Sequence, residues 1–190
     1  MTTQTTQALY QRFQQRLTAV GGESYLLENV HEAADVIALH RALREKMIVV
    51  PPDFAQRQPW GAVLPLLAAK DVHIREAESP ASVADAPAGL SHAELAIAET
   101  GSVLLAENSL AGRVVSMLTL THFILVRLQD LVPMLDQAGA RLRQYASVGS
   151  DQRRYMSFVT GPSRTADIER TLTIGVQGPR EVCVLVVDCP

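Results

Sequence analysis

The residues with the most to offer chemically sit in two glycine-bearing segments, Ala98-Glu-Thr-Gly-Ser102 and Thr160-Gly-Pro-Ser-Arg-Thr-Ala-Asp-Ile-Glu169. In the second, the apolar stretch Tyr155 to Val159 gives way to Gly161-Pro162, and the pattern predicts a short helix over Ala166 to Leu172. A loop between a strand end and a helix start is the usual ligand position in open α/β sheets. Backbone N–H groups and the helix dipole there suit a carboxylate or phosphate. Ser163 and Thr165 would add hydroxyl donors, and Arg164 a two-pronged cation. Asp167 is a candidate acid or base beside them. The same serines and threonines also serve as ordinary helix caps, with Asp167 in the first turn.

In the first segment a glycine interrupts two apolar runs, so the backbone there either bulges or approaches a ligand closely. Thr100, Gly101 and Ser102 are the candidate contacts, and Glu99 the candidate catalytic carboxylate. Gly161, with Gly175 and Gly178 of Gly175-Val-Gln-Gly-Pro-Arg180, gives further tight connections. His122 is a third catalytic candidate, placed to point from a strand end into the same crevice or else to be a satisfied structural histidine.

Other chemistries lack their residues. The histidines at 31, 40, 73, 92 and 122 show no spacing suited to a metal. Cys183 and Cys189 fit neither a disulfide framework nor a cluster needing three or four ligands. The nucleophile elbow, the P-loop and the dinucleotide fingerprint are all missing. With 17 basic and 20 acidic residues the net charge is −3 and the cations are scattered, which argues against a nucleic-acid partner. No apolar stretch predicts a membrane span or a secretory leader, so a cytoplasmic location is expected.

The elements that must hold these residues read as one α/β domain over residues 1–190. At this length, 47% apolar and 19% charged residues are globular values. Leu9, Phe13, Leu17 and Val20 recur at helical spacing before Gly21-Gly22, which stops the helix. Ser24 to Glu28 reads as a strand, Val30 to Lys46 as a helix and Met47 to Val50 as a buried strand. This alternation predicts crossover connections and an open, mainly parallel sheet flanked by helices. Trp60 to Lys70 reads as a short helix, Asp71 to Arg75 as a strand and Glu76 to Gly89 as a surface loop. The runs Leu95 to Ala98, Val103 to Ala106, Val114-Val115 and Phe123 to Val126 read as strands and hairpins, and Gln129 to Tyr145 as a helix. Val182 to Val187 is apolar enough to lie at the sheet centre.

Taken together, Ala98-Glu-Thr-Gly-Ser102, then Thr160 to Glu169, then Gly175 to Pro179 resemble the LutC/YkgG family of lactate-utilisation proteins, which carry the LUD domain. The resemblance covers roughly Ala98 to Val187. It implies a sheet similar to the NagB/RpiA/CoA-transferase-like fold and a role as a non-redox subunit of a system oxidising L-lactate to pyruvate. It also implies iron–sulfur clusters on partner subunits, with no cofactor on this chain. Two positions depart from the family pattern. Gln177 replaces a usual histidine and cannot titrate in its place, and Leu118-Thr-Leu-Thr-His122 lacks a usual Leu-Pro. The first helix begins near the first residue, so any N-terminal extension that helps dock a partner is expected to be short. A small anionic ligand and a homodimer are both compatible with this reading. Two alternatives remain: a free-standing enzyme of the same fold group using Glu99 or Glu107 as nucleophile or base, and a ligand-free regulatory or scaffolding module.

Overall fold

A computed structural model describes residues 3–150, 152–166 and 172–189. In chain order its regular elements begin with α1 (Thr3–Ala19), β1 (Glu23–Leu27), α2 (Val30–Leu39), β2 (Met47–Val50), α3 (Val63–Ala68), β3 (His73–Glu76), α4 (Pro80–Val83) and β4 (Ala88–His92). There follow β5 (Leu95–Ile97), β6 (Ser102–Glu107), α5 (Leu110–Leu118), β7 (Thr121–Arg127), β8 (Leu131–Val132), α6 (Ala138–Ala146), β9 (Tyr155–Val159), β10 (Arg164–Thr165), β11 (Thr173–Ile174) and β12 (Glu181–Val187).

Six strands form one sheet in the order β1-β12-β7-β4-β2-β3, and every neighbouring pair is parallel. Successive side chains point to opposite faces, so each central strand needs apolar residues on both sides. Phe123, Leu125 and Leu185 pack with Ile37 of α2 and Leu67 of α3 on one face. On the other, Ile124, Val126, Val184 and Val186 meet Phe13 and Leu17 of α1 together with Val103 and Leu105 of β6. A second, four-stranded sheet, β8-β5-β6-β9, therefore lies against the parallel one, and α6 covers its outer side through Ala138 and Leu142. β10 and β11 form a separate two-stranded antiparallel pair. Among the described residues no helix is long and apolar enough to cross a membrane.

The local signals that held are physical ones. Gly21 adopts a φ of 82°, and Gly22 N–H bonds to Leu17 O at 3.0 Å, closing α1 where the glycine pair predicted. Asn29 caps α2 by accepting from the backbone N–H groups of His31 and Glu32.

Four expectations are corrected. The helix expected to run to Lys46 ends at Leu39, because His40 turns extended and its Nδ1 accepts from Ala42 N–H, starting a separate 3-10 turn. Val114 and Val115 lie in α5, nucleated by the Ser109 cap on Gly112 N–H, and not in a strand. The helix expected from Gln129 is confined to α6, since Pro133 cannot continue a helix and Leu131–Val132 are taken up as β8 beside β5. The stretch read as a surface loop from Glu76 to Gly89 instead carries the short helix α4 and ends in the first two residues of β4, a strand buried in the parallel sheet. Gly89 is a packing residue there, because a Cβ would lie 2.7 Å from the Thr119 side chain.

Candidate functional site

The parallel sheet delivers its strand ends to two opposite edges, and the two glycine segments lie at the amino edge. Residues 98–101 form the turn between β5 and β6. Gly101, with a φ of 70°, faces the last turn of α1, where a Cβ would lie 2.5 Å from Leu17 N. Glu99 accepts from Leu135 N–H at 2.9 Å. Ser102 is buried and its hydroxyl meets the Thr160 hydroxyl at 2.7 Å. Thr100 Oγ1 is buried and has no hydrogen-bond partner among the described residues.

The second segment closes on the same helix end. Gly161 packs on Val20, and the Arg164 guanidinium donates to Val20 O. Ser163 donates its hydroxyl to Gln177 O at 2.7 Å and its N–H to Pro179 O at 2.9 Å. Gly178 packs on Ser163, and Gly175 on Arg180. Arg164 and Thr165 pair antiparallel with Ile174 and Thr173, so the described residues here form a strand pair and not the start of a helix. Asp167, with most of the helix expected over Ala166 to Leu172, lies outside the described residues. His122 does not reach a crevice. As the second residue of β7 it sits near the amino edge, fully buried, with Nε2 2.7 Å from the Ser91 hydroxyl. Burial alone pushes its pKa down to about 3, so it stays neutral.

The polar cluster forms at the opposite, carboxyl edge. Asp53 and Arg57 follow β2, His92 ends β4 and Arg127 ends β7. Glu94 leads into β5 and Glu107 ends β6. Glu107 is drawn inward by strand alternation, because the register that buries Val103 and Leu105 against the parallel sheet sends the same side of β6 there. Its side chain is only 7% exposed. Arg57 is the hub. One Nη donates to Asp53 Oδ2 at 2.6 Å and to Glu107 Oε2 at 3.1 Å, while the other lies 3.2 Å from His92 Nε2. His92 Nε2 lies 3.6 Å from Glu94 Oε1, and Tyr145 donates its hydroxyl to Glu94 Oε2 at 2.5 Å. Arg141 donates to the Tyr145 hydroxyl and stands 3.6 Å from Asp130. Arg153 stacks over the Tyr145 ring at 5.3 Å.

This network pushes two carboxyls in opposite directions. Burial works against ionised Glu94, but the His92 and Tyr145 hydrogen bonds, aided by the charges of His92 and Arg153, hold its pKa down to about 2. At Glu107 burial prevails over Arg57 and His92, and its pKa is raised. Two adjoining clefts open onto the cluster. One, of about 470 Å³, is lined by Asp53, Arg57, His92, Glu94, Glu107 and Arg153, together with Asn108 and Ser109. The other, of about 310 Å³, is lined by Arg57, His92, Glu94, Arg127, Asp130 and Arg141, with Trp60 among its walls. Carboxyl ends of parallel strands are where open α/β sheets bind ligands. Sequence reasoning missed this site except for Glu107. The available signal was strand-end position, and it was hidden at His92 because the start of β4 was read as the end of a loop and its remainder was assigned to no element.

Fold and cleft together define an open parallel α/β domain with a charged, ligand-sized crevice at its strand carboxyl ends. A family model for the LUD domain matches residues 10–187. Lactate utilization protein C of Bacillus licheniformis is 36% identical over 180 residues, covering 81% of this chain and 70% of that relative. The proteins of the same name from a Geobacillus species and from Bacillus subtilis are 34% and 35% identical, covering 62% and 53% of this chain. Those two alignments span 50% and 42% of the relatives' own length. The crystal structure of a DUF162 family protein from Deinococcus radiodurans superposes with a TM-score of 0.64 at 22% identity, covering 96% of this chain and 98% of that one, and shares the fold. The chain belongs to the LUD domain family.

Proposed function

We propose that this chain is a non-redox subunit of a lactate-utilising system that oxidises L-lactate to pyruvate, and that its crevice binds the carboxylate of a small organic acid. Iron–sulfur clusters would sit on partner subunits. The observation that carries the reading is the set of guanidinium groups at the strand carboxyl ends, the chemistry that recognises a carboxylate. Arg57 is committed to Asp53 and Glu107, so the seat falls to Arg127 and Arg141. Arg127 donates only to Gln58 O among its described hydrogen bonds. Arg141 faces Asp130 at 3.6 Å, too long for a strong bond, and burial raises the Asp130 pKa. A ligand carboxylate can take over from that weakly held carboxyl. The names of the relatives support the pathway.

The subunit role is supported by a cleft of about 780 Å³ between α1 and β8, whose walls combine Leu9, Leu26, Leu128 and Pro133 with Gln7 and Glu28. Met134 and Leu135 stand exposed just beyond it in the chain.

A thermal-shift titration with lactate and pyruvate tests the acid site. Ligand at about 100 times its Kd should stabilise the chain by roughly 2.7 kcal/mol. Arg127→Ala should remove that shift. Indifference of the chain to both acids, or an equal shift in the variant, would overturn the reading.

One observation favours the enzyme alternative. Glu107 is a buried carboxyl of raised pKa at a cleft, which suits a base or nucleophile, whereas Glu99 is occupied as a turn cap. If Glu107 is a nucleophile, its attack on an acyl thioester expels the thiolate and leaves a mixed anhydride on the carboxyl, so hydroxylamine trapping followed by mass spectrometry should find a hydroxamate on Glu107; an unmodified Glu107 after trapping would rule that role out for the thioester tried.

A further inference from the structure

The two clefts share Arg57, His92 and Glu94, and what remains in each differs in sign. The smaller holds Arg127 and Arg141 against Asp130. The larger holds Asp53 and Glu107 against Arg153. Arg57 and Glu94 line both, Arg57 bonded to Asp53 and Glu107 and Glu94 to Tyr145. The crevice is thus cation-rich at one end and carboxyl-rich at the other.

Size adds a second constraint. Each cleft, at about 310 and 470 Å³, already falls in the range of roughly 300–1,000 Å³ that much larger organic ligands fill. A three-carbon acid seated on Arg127 and Arg141 would leave the carboxyl-rich end in water.

We propose that the crevice takes an acid longer than lactate, whose carboxylate sits at Arg127 and Arg141 and whose far end carries a hydrogen-bond-donating head, hydroxyl or ammonium, directed at Glu107 and Asp53. The inference rests on the acid-site reading above and names its ligand class. Glu107 receives the Arg57 bond at Oε2, which leaves Oε1 to accept from a ligand. A second anion at that end would face the Asp53 carboxylate with like charge, which selects against dicarboxylates. An uncharged apolar tail would strip water from these carboxyls and return no hydrogen bond.

The test is calorimetric titration of the full chain with four probes: lactate, and the four-carbon acids succinate, γ-hydroxybutyrate and γ-aminobutyrate. The expected order places γ-hydroxybutyrate or γ-aminobutyrate about ten-fold or more tighter than both lactate and succinate. Glu107→Gln should erase most of the advantage over lactate, with circular dichroism and the thermal midpoint confirming that the variant folds. Succinate binding as tightly as the other four-carbon acids, or lactate binding tightest of all, would overturn the proposal while leaving the acid site in place. Failure of every probe, with pyruvate added as a fifth, would overturn both. An advantage that survives intact in a folded Glu107→Gln variant would overturn the assignment of the far end.

Discussion

Glu94 and Glu107 both border Arg57 and His92, yet their surroundings push their protons in opposite directions. Glu94 is held at about 2 against an ordinary value of 4.5. Its folded-state value is depressed, so the stability it contributes is present above pH 4.5 and is lost as pH falls toward 2, on the order of 3 kcal/mol in total. Glu107 is raised by burial, so in the fold its ionised form is penalised as pH rises above 4.5. At pH 7, Glu94→Gln should therefore lower the urea midpoint and flatten its fall between pH 4.5 and 2, whereas Glu107→Gln should leave the midpoint level or raise it. The reverse order would contradict this account of the network. His122 adds to the acid limb, since a histidine kept neutral down to about 3 withdraws stability as pH falls below 6.5.

At the scale of elements, the family motif acts as a clasp on the end of α1. Gly101 and Gly161 approach Leu17 and Val20 at φ values of 70° and 74°, where a side chain would meet both backbone strain and occupied space. Gly101→Ala and Gly161→Ala should each cost about 2 kcal/mol or more in urea unfolding. Arg164→Ala should cost about 1 kcal/mol, the worth of an ordinary hydrogen bond to a helix-end carbonyl, and leave acid affinity unchanged. Arg127→Ala should do the converse. If Arg164→Ala abolished acid binding without touching stability, the motif loops would regain the ligand role that their composition suggests.

At the scale of the molecule, the crevice exists because two sheets meet. His92 and Arg127 come from the parallel sheet, Glu94 and Glu107 border strands of the second, and Tyr145 and Arg141 come from α6. Val103 and Leu105 against Ile124 and Val184 form the contact that holds the sheets together. Hydrogen exchange should be slowest in β7 and β12, whose residues from Phe123 to Val126 and from Val182 to Val187 are buried. A bound acid should slow exchange at the ends of β4, β6 and β7 together. Protection confined to one sheet would mean that the ligand does not bridge them.

The sequence by itself determined those parts of the protein whose signals are local. Unbroken apolar runs at Met47–Val50 and Val182–Val187 could only be buried strands, Gly21-Gly22 had to end a helix, and the alternation of elements required a parallel sheet. Only tertiary structure decided the rest. Gly89 reads as a loop residue until α5 packs on it, and only in the folded sheet does Ser91 bond His122 and His92 become a strand end. The motif glycines advertise close approach, but the chain alone does not say to what. The partner is α1, more than 80 residues earlier, because β9 returns antiparallel to β6 and leaves its exit loop at the amino edge of the parallel sheet. The charged cluster brings Asp53 and Arg153 to one cleft across a hundred residues of chain, a distance over which no spacing rule operates.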